Sequence, residues 1–326
     1  MKKLTAVLTV LAAVAGCAGR PAPSPEEGKA DTSSQLYIEV SALGSLDYFY
    51  DHKMGMKMAG KALGVRTEYQ GPSQYDMAQM ADAFELAIAK KPAGIVVVGF
   101  EDSLNALVDK AAAAGIPVVT VDADLPGSKR IAFVGTGNYR AGFEGGKKLA
   151  ALLDGKGKVA LMTKPGQSNL EERIRGYRDA LKRSPGIEVV QVADTQSDPV
   201  VAAQAAASLL QKYPDLAGIA CVEAAGGNGA ATAVREAGRI SKVKIVAMDR
   251  GNEVLQSVQE GTISATVAQQ TALMPFYAVQ ILYNLKNHPV PVTCDNARAG
   301  VTGVPEAVDT GVVIVDKSNC EYFMRK

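Results

Sequence analysis

Residues 118–130 read VVTVDADLPGSKR. Val118, Val119, Thr120 and Val121 make a β-branched run with no polar face. It ends on two acids one residue apart, Asp122 and Asp124, before Pro126 and Gly127 turn the chain. A strand that is apolar on both faces belongs inside a parallel sheet covered by helices on each side. The acids at its end then stand at the carboxyl edge of that sheet, where open α/β sheets bind ligands.

The rest of the chain repeats this plan. Short β-branched runs fall at 36–41, 65–69, 94–98, 117–121 and 131–134, with helix-like stretches at 50–63, 76–89 and 103–114 between them. Met77, Met80, Ala81, Phe84, Ala87 and Ile88 mark the apolar stripe of the second of these helices. The alternation then restarts, with strands at 158–162, 188–193, 218–222, 244–248 and 264–268. Helices at 139–153, 171–182, 199–211, 229–237 and 252–260 alternate with them, and a last long helix spans 273–287. Two successive βαβ series predict an α/β protein of two doubly wound parallel-sheet lobes.

Length and composition agree. The chain has 326 residues, enough for two domains, and 47% of them are hydrophobic. With 35 Lys+Arg against 34 Asp+Glu there is no charge excess to draw nucleic acid or an anionic membrane surface. Met1-Lys2-Lys3 is followed by an apolar stretch, 4–14, too short to span a bilayer, and then by Val14-Ala15-Gly16-Cys17. This segment, 1–17, resembles the signal peptide and lipobox of bacterial lipoproteins, in which Cys17 becomes the lipidated first residue. Residues 18–34, AGRPAPSPEEGKADTSS, read as a flexible linker. Membrane contact is therefore expected only through the lipid anchor, with the protein periplasmic or on the cell surface. In that oxidising setting Cys294 and Cys320 are expected to form a disulfide, while Cys221 reads as a buried strand thiol.

The strand ends carry the chemistry. Tyr48, Phe49 and Tyr50 follow the first strand, and one of the three rings is expected in the core, leaving Tyr48 and Phe49 for a ligand. Asp122 and Asp124 follow the fourth. In the second series Arg173 lies one turn into a helix, and Glu223, Asp249 and Gln269 follow the third, fourth and fifth strands. Aromatic faces suit the C–H faces of a sugar ring, and ionised groups make the stronger bonds to hydroxyls. Other roles remain open at each position. Asp124 could cap the Pro126-Gly127 turn, Glu223 could cap the next helix, Arg173 and Asp249 could form a structural ion pair, and Gln269 could hold the backbone.

From Leu36 to about Asp316 the sequence resembles periplasmic sugar-binding proteins of ABC transporters, similar to ribose-binding protein. The resemblance rests on Tyr48-Phe49-Tyr50 with Met54-Gly55, residues 115–122 (GIPVVTVD), 135–142 (GTGNYRAG), 172–177 (ERIRGY), 245–249 (IVAMD) and 265–269 (ATVAQ), in this order and spacing. It implies a type I periplasmic binding fold whose two lobes close on a hinge of three crossovers, near 136–138, 269–271 and 289–291. The lobes would then be 35–136 plus 270–290 and 137–269 plus 291–326. It also implies a ligand set of Tyr48, Phe49, Asp122, Asp124, Arg173, Glu223, Asp249 and Gln269, a monomer, a sugar or polyol as ligand and an ABC permease as partner. The alternative partner is a chemoreceptor or sensor kinase reading the same closure. Ala123 where arginine is usual, Glu223 where asparagine is usual, and Gly44-Ser45-Leu46 before the aromatics all point away from ribose itself, toward another sugar, a polyol or an amino sugar.

Catalytic patterns are missing. Gly135-x-Gly137 lacks a third glycine at dinucleotide spacing, residues 226–229 (GGNG) have no Lys-Ser/Thr partner, and there is no Gly-x-Ser-x-Gly elbow. His52, one helical step past the aromatics, reads as a solvated helix residue, and two histidines leave little for metal or acid–base work. No enzyme activity, cofactor or metal is expected.

Overall fold

Two sheets with the same strand order organise the chain. A computed structural model describes residues 31–45 and 47–325. The expected signal segment, with Cys17, and residues 18–30 of the expected linker lie outside the described residues.

The first series runs β1 (Leu36–Val40), α1 (Asp47–Leu63), β2 (Arg66–Gln70), α2 (Met77–Ala89), β3 (Gly94–Val98), α3 (Asn105–Ala113), β4 (Val118–Val121) and β5 (Ala132–Gly135). The second runs α4 (Asn138–Leu152), β6 (Lys156–Thr163), α5 (Ser168–Leu181), β7 (Gly186–Asp194), α6 (Pro199–Lys212), β8 (Leu216–Cys221), α7 (Ala224–Glu236), β9 (Lys244–Met248), α8 (Asn252–Glu260) and β10 (Ala265–Gln269). Then come α9 (Leu273–Asn287), β11 (Ala307–Asp309), β12 (Val312–Asp316) and a 3-10 turn, Cys320–Phe323.

The first sheet is ordered β11-β5-β4-β3-β1-β2 and the second β12-β10-β9-β8-β6-β7. All pairings are parallel except β12, which runs antiparallel to β10. This is the two-lobed α/β architecture that the sequence pattern predicts. Each sheet is buried on both faces. In the first lobe, α1 and α9 cover one face through Phe49, Met56, Met274 and Leu282, and α2 and α3 cover the other through Phe84 and Val108. In the second, α4 and α5 supply Leu149 and Tyr177 to one face, and α6 to α8 supply Leu209, Val234 and Leu255 to the other.

The chain passes between lobes at 136–137, at 270–272 and at 310–311, where β5, β10 and β11 end and α4, α9 and β12 begin. The third passage departs from expectation. The sequence placed it near 289–291 and assigned 291–326 to the second lobe, but β11 pairs with β5 and extends the first sheet. Residues up to Asp309 therefore stay with the first lobe. Ala307–Asp309 is only three residues long and lacks an apolar run, so it gave no strand signal.

Two further expectations are corrected. Cys294 and Cys320 are both free thiols: Cys294 is exposed in the segment before β11, and Cys320 is buried in the core of the second lobe. They belong to different lobes, so no bridge forms between them. Helix α7 begins at Ala224 rather than at Gly229, despite the glycines at 226, 227 and 229. A side chain at Gly229 would come within 2.6 Å of Ala202 and the backbone of Ala203, so close packing of α6 on α7 overrides poor helix propensity.

Helices α4 and α5 meet still more closely. A methyl group at Gly176 would stand 2.1 Å from the Tyr139 carbonyl oxygen, and one at Gly142 would stand 1.9 Å from the Arg173 carbonyl oxygen. This contact sets the height of Arg173 over the second sheet. Replacing Gly176 with Ala is expected to destabilise the fold by roughly 1–3 kcal/mol, the usual cost of overpacking, read as a lower urea midpoint at unchanged slope.

Candidate ligand-binding cleft

The acid that ends the quoted strand has a counterpart in the other lobe. Asp122 follows β4, and Asp249 follows β9, the strand in the equivalent position of the second sheet. Both adopt left-handed backbone, with φ of 64° and 69°. Each donates its N–H across to the neighbouring strand, Asp122 to the Val134 carbonyl at 3.2 Å and Asp249 to the Val267 carbonyl at 2.9 Å. A non-glycine residue in this region costs about 1–2 kcal/mol, and such strain gathers at binding sites.

The partners of these acids assemble the cleft. The Tyr48 hydroxyl donates to Asp122 Oδ1 at 2.6 Å. Burial raises the Tyr48 pKa well above its ordinary value, and the nearby carboxylates of Asp122 and Asp249 push the same way, so the phenol stays protonated. On the other lobe, Gln269 Nε2 donates to Asp249 Oδ1 at 2.8 Å. Arg173 is nearly buried, with 4% exposed. Its guanidinium donates to Asn138 Oδ1, to the Val222 carbonyl and to Gln269 Oε1 at 2.8, 2.9 and 3.1 Å. Gln269 thus links arginine to aspartate. Burial raises the Asp249 pKa from 3.8 to about 6, opposed by Arg173 and Gln269 and reinforced by the charges of Asp122 and Glu223. Tyr48 and Asp122 from one lobe and Asp249 from the other therefore lie within each other's electrostatic reach.

Hydrogen bonding separates the acids into two kinds. Asp122 and Asp249 each accept a side-chain donor at one oxygen only, among the described residues. Asp124 and Glu223 are fully engaged. Asp124 takes both nitrogens of a fork from Arg130, at 2.6 and 2.7 Å, together with the Thr120 hydroxyl and the Leu125 N–H. It pins the β4–β5 loop, so its expected place in the site is corrected. Glu223 is the N-cap of α7. It accepts from the N–H groups of Ala225 and Gly226 and from the Thr195 hydroxyl. The free N–H groups of a helix start need such an acceptor, and Glu223 acts here as a cap rather than as an open ligand contact.

Phe49, expected to stack on a ligand beside Tyr48, is instead in the core of the first lobe, 3% exposed. It packs edge-on against Tyr48 and Phe100, at ring distances of 5.1 and 6.1 Å. The purely apolar ring fills the core while Tyr50 is exposed, and Tyr48 alone of the three brings a polar group to the acids.

Sequence reasoning missed a buried pair behind Tyr48. His52 is fully buried rather than solvated, and its Nδ1 lies 2.6 Å from Glu39 Oε1 of β1. Burial opposes charge on the imidazole, but Glu39, with Asp122 and Asp51 beyond it, holds the His52 pKa above its ordinary value. The one available signal was Glu39 itself, an acid inside the apolar strand Leu36–Val40. Asn138, the first residue of α4, was also missed as a partner of Arg173.

Comparison with known proteins places this geometry in a family. The periplasmic binding protein domain profile matches residues 40–288. The chain belongs to this family. A D-allose-binding periplasmic protein of Escherichia coli (strain K12) is 28% identical over 273 residues, covering 80% of this chain and 88% of the relative. The arabinose-binding protein AraP of Geobacillus stearothermophilus superposes with a TM-score of 0.84 at 37% identity, covering 90% of this chain and all of AraP. GanP, a glucose-galactose binding protein of the same organism, superposes at 0.76 with 31% identity, covering 88% of this chain and 99% of GanP. These relatives are named as binding proteins, not as enzymes, and the type I fold of the sugar-binding members is the one found here.

Asp249 gives this periplasmic binding protein a pH signature. Its folded pKa, about 6, lies above the unfolded value near 3.8, so its contribution to stability is complete below about pH 3.8 and is lost as pH rises through 6. Asn carries no such loss. The ligand-free Asp249→Asn variant is expected to melt near the parent at pH 4 and to be more stable above pH 6, by roughly 1–3 kcal/mol. Thermal melts across that range check it.

Proposed function

We propose that the protein is the lipid-anchored solute receptor of an ABC importer and that it binds a monosaccharide or polyol between its lobes. The observation that carries this reading is the pair Asp122 and Asp249, one from each lobe, each with one carboxylate oxygen left without a hydrogen-bond donor among the described residues. A ligand hydroxyl bonded to each would tie the two lobes together. Closure then follows from contacts that a one-lobe ligand could not make. Arg173 has five N–H donors and three are engaged among the described residues, which leaves two for a ring or hydroxyl oxygen. Tyr48 offers a flat face held by Phe49 and His52. The names of the relatives, which bind allose, arabinose and glucose or galactose, support an aldose as the class to try first. The closed, loaded form would be delivered to a membrane permease, with the lipid on Cys17 keeping the receptor near it.

Calorimetric titration of the mature domain against aldopentoses, aldohexoses, polyols and amino sugars tests the reading. Saturable binding of one class is expected, and no binding across the panel by folded protein would overturn it. Asp122→Ala is expected to weaken binding by about 10- to 100-fold, the worth of a hydrogen bond to a charged group. Asp124→Ala is expected to lower the melting temperature while leaving affinity within a few-fold. Cys17→Ala is expected to abolish incorporation of labelled palmitate and to release the protein from the membrane fraction.

A further inference from the structure

A second set of contacts joins the lobes away from the proposed ligand groups. Asp51, on α1 of the first lobe, is 1% exposed. Its Oδ2 accepts from three separate segments. Arg250, next to Asp249 in the second lobe, donates Nη2 at 2.6 Å. Arg325, beyond the 3-10 turn Cys320–Phe323, donates Nη2 at 3.1 Å. Thr271, in the second crossover, donates its hydroxyl at 2.9 Å. Arg250 also donates to the Phe323 carbonyl at 3.0 Å, which ties the C-terminal turn to the same point. The Arg325 guanidinium lies 5.4 Å from the centre of the Tyr50 ring on α1, so the tail reaches the first lobe by an aromatic contact as well.

We infer that Asp51 is a closure clasp: it sets ligand affinity by holding the closed arrangement of the lobes, through Arg250 and Arg325, without touching ligand. A carboxylate this far from water needs charged donors, and two of its three come from the other lobe. Separating the lobes removes those donors together, so the ion cluster favours the closed arrangement and not the open one. Arg250 follows Asp249 directly, so the clasp also fixes the strand end that carries a proposed ligand group. Thr271 keeps Asp51 beside the crossover, where a methyl group on Gly55 would stand 2.1 Å from the Ala272 carbonyl oxygen. Asp51 is thus a positioning residue built where α1, the hinge and the C-terminal tail converge.

The clasp is tested with Asp51→Asn, which keeps the shape and the Thr271 contact, and with Arg250→Gln. This inference rests on the proposed binding of a sugar for its kinetic arm only. Each variant is expected to weaken affinity by about 10- to 100-fold, a usual size for coupling between sites. The loss should appear in the dissociation rate, with the association rate unchanged, and the double variant should bind no worse than either single one. Unchanged dissociation, or effects that add in full, would overturn the clasp. Small-angle scattering of the ligand-free proteins is the second arm and needs no sugar. A larger radius of gyration in both variants supports the clasp, and profiles identical to the parent overturn it even if no sugar in the panel binds.

Discussion

A carboxylate removed from water must find donors, and that requirement shapes both lobes. Strands β4 and β9 run apolar to their last residue and then place an aspartate in left-handed backbone at the carboxyl edge. Four acids crowd these edges. Asp124 and Glu223 are satisfied within their own lobe, one by the Arg130 fork and one by the free N–H groups of α7. Asp122 and Asp249 are only half satisfied among the described residues. The difference assigns roles that residue type alone could not, since all four acids follow strands in similar sequence surroundings.

The same requirement explains the depth of the polar network. Arg173 would be costly to bury alone, and its three acceptors come from the start of α4, the end of β8 and the end of β10. One of them, Asn138, reaches Arg173 where α4 and α5 approach at Gly142 and Gly176. Local glycine content therefore reaches the cleft through helix packing. The cleft in turn holds Asp249 in an environment that raises its pKa, a stability cost carried for the sake of a half-open carboxylate.

Most of the architecture was legible in the sequence. Strands such as Gly94–Val98 and Lys244–Met248, and helices such as Asn252–Glu260 and Leu273–Asn287, coincide with the apolar runs and stripes that announce them. Strand β11 escaped notice because three residues make no readable pattern, whereas β12, Val312–Asp316, was missed although VVIV is a β-branched run. Among the expected ligand residues, chosen by position at strand ends and helix starts, hydrogen bonds link Tyr48 to Asp122 and Arg173 through Gln269 to Asp249. Phe49, Asp124 and Glu223 were chosen by the same rule, and the structure engages them otherwise, in the core, on Arg130 and at the start of α7, because position does not say which partners lie nearby. Glu39 stood out only as an acid inside an apolar strand, and the roles of His52 and Asp51 were not legible, because their partners are 13 to 274 residues away in the chain.

The threading of the lobes has a consequence for how the chain is made. The first sheet is left with β5 at an open edge until Ala307–Asp309 exists, and one of its faces lacks Met274, Ala278, Val279 and Leu282 until α9 exists. The whole second series must be synthesised in between. A nascent chain therefore cannot complete the first lobe until α9 and β11 have been added. Contacts of such long sequence separation make completion of the first lobe a late event in folding.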